Sequence, residues 1–301
     1  MAECFERVAI LGVGLIGGSM GMALHSAGAA GMVVGCSRTE SRLCEAKRRG
    51  AIDSYTTDPL AAVDGADLVI LCLPVASIPA SARTIAPVLR SDAIVTDVGS
   101  AKACIVDALE ELFDGRGQFV GGHPMAGSAQ QGVWHARANL FHGATYFVTP
   151  TGRTPCRATD AVTSLAHQLG ARPVHLPPVD HDRVVAAISH LPHVVASGLA
   201  SLVPELCGAF ADVALEAAAG SFADGTRVAG SDPSLWAEIL VQNRAEVLRA
   251  LASFRARLDA FESALSAGDE AATRELFGLG TEVRRRFEAR EARPEPPGQE
   301  G

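Results

Sequence analysis

Six short runs of consecutive apolar residues punctuate the first half of the chain, at Val8–Leu11, Met32–Gly35, Leu68–Leu73, Ala93–Val98, Phe119–Gly122 and Thr145–Val148. Unbroken rather than alternating apolar character is what a strand buried on both faces requires. Helix-compatible segments follow the first four runs, and that alternation predicts a parallel, doubly wound α/β sheet. A helix over Cys156–Leu169 and a strand over Arg172–Leu176 complete this first domain, residues 1–176, and Pro177-Pro178 marks its exit.

Beyond residue 178 the strand signals stop, and the pattern predicts an all-α domain over residues 177–291. Its clearest helix opens at Asp232-Pro233, an aspartate N-cap followed by proline at the first helical position. In that helix Val247, Leu251, Phe254, Leu258, Phe261 and Leu265 step by alternating fours and threes, a seam that needs a partner. Packing within one helical bundle and pairing in a homodimer both satisfy it. The apolar stretch from Val184 to Val203 carries Ser189, His190, Pro192, His193, Ser197 and Ser201, so it is expected to be a buried helix lining a site, with no membrane span. The tail, 292–301, is rich in proline and charge, has almost no apolar residues, and is expected to be disordered.

Composition narrows the class. At 301 residues, 48% hydrophobic and 20% charged, the chain is a two-domain globular protein. A net charge of −8 argues against a nucleic-acid surface, and Arg284-Arg285-Arg286 sits among Glu282, Glu288 and Glu291 as a solvated helix face. The seven cysteines form no C-x-x-C pair, which suits buried thiols in a reducing cytoplasm. The acidic start, Met1 to Glu6, shows no secretory signal.

The first apolar run passes into Gly12-x-Gly14-x-x-Gly17, the spacing of a dinucleotide fingerprint. Gly12 permits the turn, Gly14 lets backbone approach a pyrophosphate, and Gly17 allows the helix to pack closely. Leu15 and Ile16 in the turn and Pro74 after a later strand complete the candidate contacts, and the helix would aim its positive end at the phosphates. About 20 residues past Gly17, where an NAD enzyme places an acid on the ribose, stand Ser37, Arg38 and Thr39. These suit the 2′-phosphate of NADP; in the alternative, NAD is the cofactor and Arg38 only stacks on adenine.

Ligands of such sheets lie outside the carboxyl ends of the strands, so the loops there hold the candidates for catalysis. Ser100 stands in Asp97-Val98-Gly99-Ser100-Ala101-Lys102 and is expected to be a helix N-cap on the crevice edge. His123, within Gly121-Gly122-His123-Pro124, is the candidate general base. In Ser189-His190-Leu191-Pro192-His193 two histidines stand three apart. No metal is expected there, because no H-E-x-x-H pattern accompanies them and Pro192 disturbs the helix between them. Arg227 precedes the Asp232 cap and fits either a substrate carboxylate or a surface ion pair.

Taken in order, the fingerprint, Val95-Thr96-Asp97-Val98-Gly99-Ser100-Ala101-Lys102, Gly121-Gly122-His123-Pro124-Met125-Ala126-Gly127, Ser189-His190-Leu191-Pro192-His193 and Thr226-Arg227-x-x-x-Ser231-Asp232-Pro233 resemble the prephenate/arogenate dehydrogenase family of tyrosine biosynthesis. The resemblance covers about residues 5–290. It implies a nucleotide-binding domain, a helical dimerisation domain giving a homodimer, an active site between them, and a small-molecule substrate, prephenate or arogenate. It also implies that His123 is the catalytic histidine, that Ser100 bridges substrate hydroxyl and nicotinamide, that Arg227 binds a carboxylate, and that His190 and His193 line the substrate pocket. The missing acid at Ser37 departs from the family's usual NAD preference, and the regulatory domain of some members is not expected. A 3-hydroxyacid dehydrogenase is the competing enzyme reading, but it is expected to use a lysine in the helical half, and 178–290 contains none. A non-catalytic nucleotide sensor is the competing reading of another class.

Overall fold

The computed structural model of the protein describes residues 4–113, 118–127 and 130–291; the tail expected to be disordered lies outside them. Strands β1 (Phe5–Leu11), β2 (Ala30–Cys36), β3 (Ser54–Thr56), β4 (Leu68–Leu71), β5 (Ile94–Asp97) and β6 (Gln118–Phe119) form a parallel sheet in the order β3-β2-β1-β4-β5-β6. The strand order reverses between β1 and β4, which makes the crevice at their carboxyl ends the switch point for ligands. Helices α1 (Leu15–Ser26), α2 (Glu40–Arg48), α3 (Pro59–Val63), α4 (Ile78–Ile85) and α5 (Ala103–Leu112) connect the strands. Along β1, Val8 and Ile10 enter one apolar core and Ala9 and Leu11 the other. That double burial is why the apolar runs are unbroken.

The expected strand Phe119–Gly122 is in fact two strands in two sheets. After β6 the chain turns at Val120 into β7 (Gly121–Pro124), which pairs antiparallel with β8 (Thr145–Thr149); β8 pairs parallel with β9 (Arg172–His175). Helix α6 (Cys156–Gln168) joins β8 to β9. Glycines make the crossing possible, since a Cβ on Gly121 would stand 2.4 Å from Thr149 Oγ1 and one on Gly122 would stand 2.8 Å from Asp97 O.

Helices follow: α7 (Pro178–Val185), a π turn at Ala186–His190, α8 (Leu191–Cys207), α9 (Ala211–Glu216), α10 (Gly220–Thr226), α11 (Pro233–Gln242), α12 (Arg244–Ser266) and α13 (Glu270–Glu291). The chain forms two compact units, 1–247 and 248–301. In the first, Asp232 caps α11 through its Oδ1 on Leu235 N–H at 2.9 Å, with Pro233 in the first turn. The single long helix expected from this cap breaks at Asn243, whose backbone leaves the helical region while its side chain bonds elsewhere. In the second unit Phe261 of α12 meets Phe277 of α13 edge-on at 5.4 Å. The expected seam is uneven: Val247 is buried, whereas Leu258 and Leu265 are exposed.

Two further expectations are corrected. The stretch through α8 is not buried: Ala196 is its one buried residue, while Leu199, Leu202 and Leu206 are exposed. By length and composition alone the helical run Pro178–Glu216 would pass for a membrane span, at mean hydropathy 1.6. All seven cysteines are free, but only Cys36 is buried; Cys4, Cys44 and Cys156 are exposed, Cys4 just before β1, Cys156 at the first position of α6 and Cys44 on the face of α2 away from its buried Leu43 and Ala46.

Candidate active site

The fingerprint glycines divide by what constrains them. Gly12 has φ +99°, and a Cβ there would stand 2.0 Å from Cys72 O; a Cβ on Gly17 would stand 2.2 Å from Gly12 O. The fold itself therefore needs both. Around Gly14 nothing lies within 4 Å of the Cβ position, and α1 begins there with no side-chain cap. Open space beside uncapped N–H groups fits the pyrophosphate of a dinucleotide. Leu15 and Ile16 are half-buried in the first turn of α1, and Pro74 is exposed after β4. At the end of β2, Ser37 is half-buried, while Arg38 and Thr39 are exposed; Arg38 has no ion-pair partner among the described residues.

Within the first unit a cleft of about 540 Å³ is lined by Ser100, His123, His190, His193, Arg227 and Trp236. The structure thus brings together the five residues singled out as catalytic or substrate-binding. His123 lies on β7 and is 9% exposed. Its Nδ1 is 2.8 Å from His181 Nε2, and His181 Nδ1 is 2.8 Å from Asp182 Oδ1. Burial, with His181, Lys102 and His190 nearby, pushes the His123 imidazole well below its ordinary pKa, so it is neutral at physiological pH.

Beneath it lies an ion pair buried from water, Lys102 with Asp97. Lys102 Nζ also donates to Gly122 O at 2.9 Å, and Asp97 accepts from the N–H groups of Gly99 (2.8 Å) and Gly122 (3.3 Å). These bonds fix the backbone beside Ser100 and His123. Ser100 is half-buried on the cleft wall but is not an N-cap. Helix α5 begins at Ala103, and its first donors are met from afar by the Asp182 carboxylate, which takes Lys102 N–H at 2.7 Å and Ala103 N–H at 3.0 Å.

On the opposite wall the π turn follows from Pro192. Leu191 N–H bonds Ala186 O, five residues back, and the wider turn accommodates a proline that has no N–H and whose ring would strike the carbonyl four residues earlier. His190 is buried there, its Nδ1 3.1 Å from Asn243 Nδ2, and burial lowers its pKa to about 4. Asn243 also donates to Asp182 O at 2.8 Å. His193 donates from Nδ1 to Ser189 O at 2.8 Å and stacks on Trp236, with centroids 3.4 Å apart; burial is the main cause of its lowered pKa. Arg227 is exposed on a short turn, Arg227–Gly230, and forms no ion pair among the described residues, so its charge is open to a ligand.

Family comparisons match this layout. The family profile "Prephenate dehydrogenase, nucleotide-binding domain" matches residues 20–175, and "Prephenate dehydrogenase, dimerization domain" matches 177–279. The chain belongs to the prephenate dehydrogenase family. The prephenate dehydrogenase of Bacillus subtilis is 33% identical over 249 residues, 82% of this chain and 67% of that one. The crystal structure of Aquifex aeolicus prephenate dehydrogenase, in complex with hydroxyphenyl propionate and NAD+, has a TM-score of 0.89 at 30% identity and covers 95% of this chain and all of that one. Synechocystis arogenate dehydrogenase has a TM-score of 0.82 at 32% identity, covering 93% and 99%.

Sequence reasoning missed His181, Asp182 and Asn243, and it gave no role to Trp236 or Lys102. For the first pair a signal was available: the charged and titratable run Asp180-His181-Asp182-Arg183 begins two residues past Pro178, in the first turns of the helical run that leads to His190.

Proposed function

We propose that the protein is an NAD(P)-dependent prephenate dehydrogenase, converting prephenate to 4-hydroxyphenylpyruvate and carbon dioxide. One observation carries this reading: a buried, neutral imidazole faces an open guanidinium across a single cleft in a chain of this family. The nucleotide belongs to residues 1–176, and residues between Ser189 and Ile239 supply the opposite wall.

Prephenate bears a hydrogen and a hydroxyl on one ring carbon. When bound, the nicotinamide supplies the hydride acceptor. His123 takes the hydroxyl proton as hydride leaves that carbon, and Ser100, on the same wall, orients the hydroxyl. The oxidised ring is a vinylogous keto acid. The electrons of its bond to the ring carboxylate then flow into the ring, releasing carbon dioxide and restoring aromaticity, so no second base is needed. A strong clamp on the departing carboxylate would stabilise the ground state and slow this step, so Arg227 is assigned to the side-chain carboxylate instead. The stacked His193–Trp236 wall excludes water from the ring.

For the cofactor the proposal is NADP over NAD, supported by Ser37, Arg38 and Thr39 in place of an acid. For assembly it is a homodimer through the helical domain, supported by the exposed leucines of α8 and the match to a dimerization domain. A spectrophotometric assay offering prephenate or L-arogenate with each nucleotide tests the function. Reduction of nucleotide with prephenate is the expected result. Turnover of arogenate alone would replace the substrate, as the Synechocystis relative illustrates, and turnover of neither would overturn the reading.

A further inference from the structure

The chain of side chains behind His123 does more than fill space. Asp182 is held as an acceptor: its Oδ1 takes Lys102 N–H and its Oδ2 takes Ala103 N–H, at the start of α5 where a helix favours an anion. A carboxylate so placed can only accept, so His181 Nδ1, 2.8 Å from Oδ1, must carry its proton. In a neutral His181 ring Nε2 is then the bare acceptor. The 2.8 Å contact to His123 Nδ1 requires that nitrogen to donate. What remains on His123 is Nε2 with its lone pair, and it has no hydrogen-bond partner among the described residues. Phe147 presses on the pair, edge-on to His181 at 5.1 Å and tilted against His123 at 6.5 Å, which opposes ring flips.

We propose that His181 and Asp182 are positioning residues that hold His123 in its Nδ1–H tautomer, so that Nε2 is the atom that accepts the substrate proton. The inference rests on the proposed dehydrogenase reading and deepens it. When Nε2 takes the hydroxyl proton, His123 becomes an imidazolium with both nitrogens protonated. Its charge is stabilised through two polarised hydrogen bonds ending on the Asp182 carboxylate, and neither His181 nor Asp182 gains or loses a proton.

The test combines a spectrum with three variants. In 15N-histidine protein, long-range proton–nitrogen correlations should show His123 protonated at Nδ1 and bare at Nε2; this needs no substrate, so it judges the inference even if prephenate is not turned over. Asp182→Asn removes the anion on which the two hydrogen bonds end, and its amide NH2 must face either His181 and Lys102 N–H or Ala103 N–H. Its kcat should fall about 10²–10⁴-fold with substrate KM within about threefold. His181→Leu should lose as much. His181→Gln keeps an acceptor oxygen for His123 Nδ1 and should lose less than about tenfold. A wild-type spectrum with the proton on Nε2 would overturn the proposal. So would equal losses in the Gln and Leu variants, or folded Asp182→Asn and His181→Leu proteins that keep wild-type kcat. Should Asp182→Asn not fold, because α5 loses its cap, the spectrum and the His181 pair decide.

Discussion

The nucleotide cradle and the imidazole cluster are built by opposite means. The cradle comes from six consecutive residues, Gly12 to Gly17, and consists of backbone and empty space. The cluster gathers Asp97, Lys102, His123, His181, Asp182, His190 and Asn243 from far-separated elements, and nearly every polar atom in it is paired. A local turn leaves its signature in spacing, and it tolerates change wherever only the ligand touches it. A cluster assembled over more than a hundred residues leaves no spacing to read, and a change at one member alters the electrostatics of the rest.

The largest expected effect breaks the cluster at its centre. His123→Asn should lower kcat about 10²–10⁴-fold with much less change in KM, as for loss of a general base. Unchanged kcat at saturating substrate would leave the cluster a packing feature and end the contrast with the cradle. Next comes Arg227→Ala, which removes a charge-assisted pair worth about 1.5–3 kcal/mol and should raise substrate KM roughly 10- to 150-fold, with a smaller change in kcat. Substrate affinity intact in the folded variant would show that the open guanidinium is not the clamp.

On the cradle side the effects should be smaller and confined to one ligand. Wild type should show higher kcat/KM with NADP than with NAD. Ser37→Asp should reverse that order by repelling the 2′-phosphate and binding the free diol, and Arg38→Ala should weaken NADP about tenfold with little effect on NAD. Equal losses for both nucleotides would mean that Arg38 stacks on adenine. Smallest per group is the effect of acid. His123, His181, His190 and His193 all have lowered pKa values in the fold, chiefly through burial. The unfolded chain therefore binds more protons below about pH 6.5, and stability falls as pH drops through that window toward the folded values, about 4 for His190. His190, lowered to about 4, should contribute a loss of about 1 kcal/mol between pH 6.5 and 5.5, and the other three act in the same direction, read together as a falling Tm. A Tm flat over that range would show that the cluster is not buried in its neutral form.

Legibility in the sequence followed the range of the interactions. The unbroken runs of β1 and β4 announce a sheet covered on both faces, and Asp232-Pro233 announces a helix start that the structure reproduces with a capping bond. Strand β3, Ser54–Thr56, has three half-buried residues and no apolar run, and it exists through pairing to β2. The break at Asn243 is equally invisible, because it depends on a carbonyl 61 residues away. Ser100 looked like an N-cap because no local pattern shows that Asp182, eighty residues beyond Lys102, has taken the role. His123 and Arg227 stood out by residue type in segments expected to be ligand-facing loops, although His123 lies on β7. The partners of His123 did not, since His181 is 58 residues distant and touches it only in the folded protein.

The π turn at Ala186–His190 acts as a phase shifter. A helix advances about 100° per residue, so one residue accommodated in a wide turn sets the azimuth of everything downstream relative to everything upstream. His181 and Asp182 lie before it, and His193 and the apolar face of α8 lie after it. Deleting a single residue such as the exposed Ile188 would leave composition and helix content almost unchanged, yet it would rotate His193 away from Trp236 by about that angle. The angular setting between the base's support and the substrate wall is thus encoded by one residue's worth of backbone.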